Sequence, residues 1–286
     1  MTKGIDLSVH NGKVDFKKVK TSGHGDFVIL RAGYGRVASQ KDAKFEEYYA
    51  AAKAAGIPVG AYWYSYAMTE DEARQEADVF LSILKGKQFE MPVFYDVEEQ
   101  KQFNLGKAKV SAIIRAFLER VESKEYWVGL YGSYSSLTTF TDADIRERYA
   151  IWLAHWNVQK SPYKGDYGMW QYGTGTVSGC SGKVDVDECY VDYPTLIKNA
   201  GDNGFAKPTE TPNPNPAPER VIKKGDRGAD VKKLQTALAN AGYLRQNEID
   251  GDFGKITLGA VCAYQLERDI PVTGIADEKT LKSLGI

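Results

Sequence analysis

A proline-rich segment in the last third of the sequence limits what this chain can fold into. Residues 207–218, KPTETPNPNPAP, contain five of the ten prolines and no large apolar side chain. Such a segment cannot join a packed core, and it favours extended polyproline II conformation. The sequence therefore predicts two domains, residues 1–200 and 220–286, which are joined by a linker at 201–219 and can move independently.

The overall charge of the chain excludes several classes of partner. Its 37 basic and 38 acidic residues give a net charge of −1, which offers no basic surface to nucleic acid. The sequence has no long apolar run, so we expect no membrane insertion. Its start, MTKGIDLSVHNG, leads directly into a strand pattern and lacks the features of a signal peptide. A neutral, carbohydrate-like partner fits this composition best.

The cysteines Cys180, Cys189 and Cys262 lack the paired spacing of a zinc or redox site. We interpret them as reduced packing residues. A disulfide between Cys180 and Cys189 stays open as an alternative, because these two residues flank one short loop.

Short apolar runs typical of strands alternate with helical patterns before the proline-rich segment. Thr69 and Glu72 form a capping box ahead of one of these helices. Repeated strand and helix units favour a parallel sheet, and eight candidate strands favour a closed β/α barrel. The later helices are short in the pattern, so we expect an irregular barrel. The candidate strands are GIDLS, FVILRA, VGAYWYSY, PVFYDVE, WVGLYGS, YAIWLAHW, GMWQYG and KVDVDE.

The region after the proline-rich segment has the pattern of a small all-α domain with three helices. Val231, Leu234 and Leu238 have helical spacing, and two further helical patterns follow. A weak internal repeat, IDGDFGKITL and VTGIADEKTL, places a glycine six residues before a threonine in each copy. We predict that residues 250–254 build a structural turn rather than contact a ligand.

Acidic residues recur near strand ends, at positions that should face the barrel interior. Because side chains alternate along a strand, Asp6 points inward, as do Asp96 and Glu98 on the fourth strand and Asp185 and Asp187 on the last. Acids inside a barrel are tolerated where water or substrate reaches them, and this architecture keeps its active site at the C-terminal strand ends. The first and last strands of a closed barrel are neighbours. Asp6 should therefore lie near Asp185, opposite the pair on the fourth strand.

A cluster of acids without a basic partner suits two kinds of chemistry. It can bind a hard cation, or it can hydrolyse a glycosidic bond with one protonated and one ionised carboxyl group. Aromatic residues favour the second, because rings at the mouth of a cleft stack on sugars. We expect about half of them only to pack in the core. The aromatic candidates are Tyr62, Trp63, Tyr64, Tyr131, Trp152, Trp156 and Trp170.

Four segments follow one another along residues 1–198: GIDLSVHNG, the D-x-E of Asp96 and Glu98, WLAHW, and WQYGTGTVSGCSGKVDVDE. Together they resemble glycoside hydrolase family 25, the Chalaropsis-type lysozymes common among phage and bacterial muramidases. The resemblance implies a flattened β/α barrel. It also implies cleavage, with retention of configuration, of the β-1,4 bond between N-acetylmuramic acid and N-acetylglucosamine. We expect no metal ion and no other cofactor.

The resemblance also implies roles for the acidic residues. Glu98 matches the general acid and base of the family, and Asp6, Asp96 and Asp185 match its remaining active-site acids. If the acetamido group of the substrate is the nucleophile, Asp96 is its partner.

Residues near the acids are expected to bind the sugar chain. The sequence departs from the common family pattern at Trp63, where many members have histidine, and at Asp187, where they have asparagine. It has Arg31 and Tyr34 on the second strand, where many members have a lysine and a nearby glutamate. These departures concern the choice of sugar more than the chemistry. The predicted substrate-binding residues are Tyr62, Tyr131, Trp152, Trp156, Trp170, Arg31 and Tyr34.

The segments KKGDRGADVKKLQTAL, IDGDFGKITLGAV and VTGIADEKTL resemble the three-helix peptidoglycan-binding module of wall hydrolases. We therefore expect bacterial peptidoglycan to be both substrate and wall ligand of a phage or prophage endolysin. Such a protein is made in the bacterial cytoplasm and acts on the wall after release. Two alternatives stay open: a carbohydrate-binding protein that has lost catalysis on a glycosidase scaffold, and a hydrolase whose acids hold a divalent metal ion.

Overall fold

The computed structural model describes residues 1–207 and 221–286, so residues 208–219 of the predicted linker lie outside the described residues. The chain forms two compact units. The first comprises Met1–Ile197 and Gly201–Phe205, and the second includes residues 221–286. In the described ranges, no helix is long and apolar enough to cross a membrane.

The first unit extends past residue 200, the predicted end of the first domain, because Asn203 belongs to its core. Asn203 is fully buried. Its side-chain amide donates to the carbonyl groups of Phe89 and Met91 at 3.1 and 2.9 Å, and its Oδ1 accepts from the backbone N–H of Trp127 at 2.7 Å. Buried polar groups are costly to leave unpaired, so this segment is fixed to the barrel rather than part of a linker.

Eight strands of the first unit close into one barrel, as the alternating pattern predicts. They are β1 (Thr2–Leu7), β2 (Phe27–Tyr34), β3 (Val59–Tyr64), β4 (Val93–Asp96), β5 (Val128–Ser133), β6 (Ala150–Ala154), β7 (Met169–Thr176) and β8 (Lys183–Cys189). Each strand pairs with the next along the chain, and β8 pairs with β1. The pairs from β1 through β7 are parallel.

The helices of the first unit that follow α5 are short, as expected for the later helices. They are α1 (Phe16–Lys20), α2 (Phe45–Ala54), α3 (Glu70–Leu84), α4 (Gln100–Phe103), α5 (Lys107–Glu122), α6 (Tyr134–Thr139), α7 (Ala143–Arg148) and α8 (Tyr193–Ala200). The Thr69 hydroxyl caps α3 by accepting from the backbone N–H of Glu72 at 3.2 Å. The described residues between β6 and β8 contain no helix, so the barrel is irregular on this side.

The last strand corrects the expectation of a fully parallel sheet. β8 is antiparallel to both β7 and β1. Only residues 177–182 connect β7 to β8, whereas a parallel crossover needs a dozen residues or more. The reversal places Asp185, which lies near the start of β8, at the barrel edge where the other strands end. Asp185 pairs there directly with Asp6.

Alternation along the strands divides the apolar residues between two layers. Ile5, Val93 and Val184 belong to the layer between the strands and the helices. Phe94 and Trp152 fill the barrel interior, with ring centres 5.2 Å apart. Phe94 and Asp96, the last residue of β4, lie on the same face of the strand. The inward acids therefore lie next to Phe94 and Trp152, which we call the aromatic plug.

The second unit contains, within residues 221–286, the three predicted helices α9 (Ala229–Asn240), α10 (Lys255–Glu267) and α11 (Glu278–Ser283). Val231, Leu234 and Leu238 are buried and give α9 its apolar face. Cys262 is buried in α10, and none of Cys180, Cys189 and Cys262, which all lie in the described residues, forms a disulfide bond. The structure thus agrees with the interpretation of the cysteines as reduced residues.

The weak repeat of the second unit corresponds to two equivalent hydrogen-bonded turns. In each copy a buried glutamine donates to a turn carbonyl and to the threonine hydroxyl, and it accepts from the N–H of the turn glycine, at 2.7–3.1 Å. The first copy consists of Gln235, Gly251, Asp252 and Thr257, and the second of Gln265, Gly274, Ile275 and Thr280. Because the polar groups of the turn are already hydrogen-bonded within the unit, the structure supports a structural role for the turn at 250–254.

Candidate active site

One edge of the barrel brings together four of the five acids that the strand pattern indicates. Asp6 on β1 pairs with Asp185 on β8, and Asp96 is the last residue of β4. Asp6 and Asp96 are buried, Asp185 is half-buried and Glu98 is exposed. The charges of Glu98 and Asp6 both raise the pKa of Asp96, so these groups share one site.

Asp6 is oriented by a buried glutamine. Gln171 Nε2 donates to Asp6 Oδ2 at 2.7 Å, and Gln171 Oε1 accepts from the Tyr131 hydroxyl and the Trp156 indole, both at 2.9 Å. An indole N–H only donates, so it must face the amide oxygen, and the amide N–H must then face Asp6. Burial and the charge of Asp185 raise the pKa of Asp6 well above its usual range, and the Gln171 bond lowers it in part.

Asp96 carries a buried oxygen that no neighbouring group satisfies. Its Oδ1 has no hydrogen-bond partner among the described residues. Burial raises the pKa of Asp96 well above its usual range, the charges of Glu98 and Asp6 add to this effect, and Arg31 opposes it. Arg31 is fixed by Asp42, whose Oδ2 lies 2.8 Å from Arg31 Nε. An unpaired buried acceptor costs about 1–3 kcal/mol, so Asp96 is poised to accept a hydrogen bond from a ligand.

Glu98 lies two residues beyond the end of β4, beside an open cleft of about 390 Å³. Strand alternation therefore does not set its direction. Its side chain is exposed to the cleft, but the protein around it still limits its solvation and, with the charges of Asp185 and Glu99, raises its pKa. Such a carboxyl group keeps its proton to higher pH while remaining accessible to a ligand. The cleft is also lined by Tyr131, Ser133, Tyr134, Ser135, Ala154, His155 and Trp156.

Asp187 is a fifth carboxyl group, one level deeper in the barrel, where it pairs with Gly4. Its Oδ1 accepts from the Trp152 indole at 2.8 Å, and its Oδ2 has no partner among the described residues. Burial and the charges of Asp6 and Asp185 raise the pKa of Asp187 well above its usual range, and the Trp152 bond opposes them in part. A proton kept on Asp187 removes one negative charge from a crowded cluster.

Two of the predicted sugar-binding residues, Trp152 and Trp170, are buried in the structure rather than exposed to the cleft. Trp152 is 1% exposed, inside the barrel and edge-on to Tyr131. Trp170 is 9% exposed and pairs with Leu153, which belongs to the outer layer. Because side chains alternate, the inward residue of this strand is Gln171.

Three predicted residues, Tyr62, Tyr131 and Trp156, lie close to the acids. Trp156 is 44% exposed and lines the same cleft as Tyr131 and Glu98. Tyr62 is half-buried on β3, where burial and the charge of Asp6 raise its pKa well above the usual range. Their positions allow contact with a ligand in the cleft or directly beneath it.

A second aromatic group stands at the ends of β2 and β3. Tyr34 and Tyr66 are exposed, with ring centres 6.0 Å apart, and the Arg31 guanidinium lies 6.0 Å from the Tyr34 ring centre. Tyr64 packs against Tyr66 at 5.2 Å, and its hydroxyl donates to Glu99 at 2.9 Å. Arg31 and Tyr34 are predicted residues. Tyr66 is not among the predictions, although it ends the candidate strand VGAYWYSY with the same alternation as Tyr62.

A buried polar network holds the loop that carries Tyr66. Glu76 of α3 accepts from the backbone N–H of Tyr66 at 2.8 Å and from the Tyr95 hydroxyl at 2.7 Å. The Ser65 hydroxyl bonds to that of Tyr95 at 2.7 Å and accepts from Gln102 at 2.8 Å. Burial raises the pKa of Glu76, and these hydrogen bonds lower it in part. The network fixes the loop after β3 relative to β4, and with it the second aromatic group.

The arrangement of acids and rings suits glycoside hydrolysis better than metal binding. In the part of the chain that the structure describes, no group of three or more histidine, cysteine or acidic residues is arranged to hold a metal ion. The site instead combines an accessible acid whose pKa is raised with deeper carboxyl groups and aromatic walls, which are the parts that cleavage of a sugar chain requires. Fold and site together define a glycoside hydrolase built on a β/α barrel.

Comparison with known families specifies this class further. The model of glycosyl hydrolases family 25 matches residues 5–180, and the chain belongs to this family. The model of a peptidoglycan binding domain matches residues 227–284, in the second unit.

Individual relatives agree with the family. The autolytic lysozyme of Clostridium acetobutylicum is 29% identical over 189 residues, which are 65% of this chain but only 55% of that protein. The crystal structure of the CTP1L endolysin is 25% identical, with a TM-score of 0.62, and the match covers 85% of this chain and 80% of that one. The bacterial lysozyme of Streptomyces coelicolor is also 25% identical, with a TM-score of 0.58 over 72% of this chain and 98% of its own.

Proposed function

We propose that this chain is an N-acetylmuramidase, which hydrolyses the β-1,4 bond between N-acetylmuramic acid and N-acetylglucosamine in bacterial peptidoglycan. One observation carries the proposal: Glu98, with its raised pKa, is accessible in an aromatic cleft beside Asp6, Asp96 and Asp185. The similarity to an endolysin supports the further proposal that the protein acts on the wall as a phage or prophage endolysin after its release.

In the proposed reaction Glu98 acts first as acid and then as base. Its proton passes to the glycosidic oxygen as the bond to the anomeric carbon breaks. The acetamido oxygen of the same sugar attacks that carbon from the opposite face, and Asp96 accepts a hydrogen bond from the acetamido N–H. Glu98, now ionised, takes a proton from water. The water oxygen attacks the anomeric carbon and opens the five-membered ring that the acetamido group has formed with it. Two inversions give net retention.

The second unit is proposed to hold the enzyme on its substrate. Binding through a tethered module raises the local concentration of the catalytic unit at the wall without any new contact in the cleft. Its hydrogen-bonded turns are internal, so the ligand must meet another surface of this unit.

The products released from purified peptidoglycan test the proposed bond. Borohydride reduces the new sugar end, and mass spectrometry identifies it. A muramidase gives reduced N-acetylmuramic acid, whereas reduced N-acetylglucosamine would place the cut at the other glycosidic bond. If the wall is bound without any fragment being released, the chain is instead a carbohydrate-binding protein on a glycosidase scaffold.

The stereochemical outcome is expected to be retention, without a requirement for metal. Proton NMR of the first product should show the β-anomer before mutarotation, because assistance by the acetamido group inverts the anomeric carbon twice. The rate should be unchanged in EDTA. An initial α-anomer would contradict the double displacement, and loss of the rate in EDTA would support a metal-dependent hydrolase.

Replacing Gln171 with leucine is expected to move the acid limb of the pH profile to higher pH. The Gln171 bond lowers the pKa of Asp6, so its loss raises that pKa, and a higher pH is needed to ionise Asp6. The profile of kcat/KM measures this limb for the free enzyme. Tyr131→Phe is the matched control. It removes the hydrogen bond to Gln171 Oε1, whereas Asp6 is bonded to Gln171 Nε2, so the pH of the acid limb should not change, whatever the effect on the rate. An equal shift in both variants would assign the effect to disordered packing.

A further inference from the structure

A groove of about 670 Å³ crosses the second unit between α9, α10 and the end of α11. This volume lies in the range typical of ligand sites. The groove borders the exposed side chains of Lys232 and Lys233 on α9 and of Arg268 at the end of α10. Ala237, Ala241 and Leu284 provide its apolar surface, and the nearly buried ring of Tyr264 borders it.

Positive charge dominates this groove, which we call the basic groove. Its lining, all within the described residues, includes three cationic side chains and no aspartate or glutamate. Arg268 is restrained because its guanidinium lies 5.4 Å from the Tyr264 ring centre. Lys233 lies 3.9 Å from Asp230, but both are largely exposed, so this pair neutralises little of the charge. Acidic residues flank Arg268 on both sides in the sequence, Glu267 and Asp269. Of these, Glu267 bonds to the Tyr243 hydroxyl, to which Arg268 also bonds.

Neutral hydrogen-bonding groups complete the basic groove. The Tyr264 hydroxyl bonds to that of Ser283 at 2.7 Å, and both residues line the groove together with Thr236 and Asn240. A ligand that fits this surface carries anionic groups for the lysines and the arginine, amide groups for the hydroxyls, and small apolar groups for Leu284.

We propose that the basic groove binds the stem peptides of peptidoglycan through their free carboxylate groups. The inference rests on the proposed function and specifies which part of the wall the second unit recognises. The sugars of the glycan strand are neutral once the lactyl group of N-acetylmuramic acid is joined to its peptide. The peptide carries the carboxylates, the amides and the alanine methyl groups that match the groove. Recognition of the peptide leaves the glycan strand free to enter the cleft of the first unit.

The test uses the full chain with Glu98→Gln, so that the wall is bound without being cut. Lys232→Glu with Arg268→Glu reverses two charges of the basic groove. Lys279→Glu with Lys282→Glu reverses two charges of α11 outside the set of groove residues and is the matched control. Sedimentation with peptidoglycan freed of other wall polymers should show at least about tenfold weaker binding for the groove pair and little change for the control, as expected for the loss of a charge-assisted contact.

The same peptidoglycan, stripped of its stem peptides by an amidase, provides the second arm of the test. The protein with an intact groove should bind this glycan more weakly than intact peptidoglycan, because only the cleft of the first unit still contacts it. Undiminished binding to the stripped glycan, or equal weakening by both charge reversals, would overturn the proposal. Binding that requires anionic wall polymers would assign the groove to their phosphates instead. Circular dichroism checks the fold, and the pair Lys232→Ala with Arg268→Ala replaces the reversal if it unfolds. Cleavage by the chain with native Glu98 is measured separately, so failure of the proposed function is distinguishable.

Discussion

Replacing Glu98 with glutamine is expected to abolish lysis while wall binding and folding persist. The amide keeps the shape of the side chain but cannot donate a proton to the leaving oxygen, and it cannot later activate water. Residual activity should fall below about 1% of that of the unchanged chain, a rise of roughly 3 kcal/mol or more in the barrier. The rate of release of reducing sugar from purified peptidoglycan measures the effect.

The next residue provides the control for this substitution. Glu99 accepts a hydrogen bond from Tyr64 at 2.9 Å and is absent from the cleft lining, so Glu99→Gln should keep most of the activity. It removes a charge that raises the pKa of Glu98. The basic limb of its pH profile should therefore move slightly to lower pH. Activity of several percent in Glu98→Gln would show that another group supplies the proton.

Much of the barrel follows from the alternation of side chains along strands. The eight apolar runs correspond to the eight strands of the structure. Asp6 and Asp96 point into the barrel, as the alternation predicts. This succeeds because strand geometry is local: once Ile5 is in the outer layer, the direction of the next side chain is determined. The same rule, applied to WQY, would have identified Gln171 and placed Trp170 outside.

The parts of the site that were not predicted depend on where strands end and on how deep a side chain lies. Tyr66 follows β3, and Tyr134 begins α6 and stacks on His155 with ring centres 4.9 Å apart. Tyr134 belongs to no strand pattern, whereas Tyr66 alternates with Tyr62 in the candidate strand VGAYWYSY and could have been proposed from it. Trp152 has the inward parity of a cleft residue, but it lies below the acids in the aromatic plug. Depth along the barrel axis is set by the stagger between strands, which one strand's sequence does not contain.

Replacing Asp96 with asparagine is expected to separate activity from stability. In the proposed reaction the buried Oδ1 of Asp96 accepts a hydrogen bond from the acetamido N–H as positive charge develops on that group. Asparagine keeps an acceptor oxygen but not the negative charge. A hydrogen bond to a charged group contributes about 1.5–3 kcal/mol and a neutral one about 1 kcal/mol, so kcat should fall roughly 2- to 30-fold. KM should change less, because the charge develops mainly in the transition state. An unchanged kcat would contradict this role of Asp96.

The same substitution should make the folded protein more stable at neutral pH. The pKa of Asp96 is raised in the folded state, so this carboxyl group binds its proton more tightly when folded than when unfolded. It therefore costs no stability below the unfolded pKa of about 3.9, and its cost grows as pH rises toward the folded pKa. The amide of the substituted side chain cannot ionise and avoids that cost. Calorimetry should find Tm of Asp96→Asn above that of the unchanged chain at pH 7, with the difference vanishing near pH 3. A lower Tm at pH 7 would show that the carboxylate stabilises the barrel, and that Oδ1 has a partner in the folded protein.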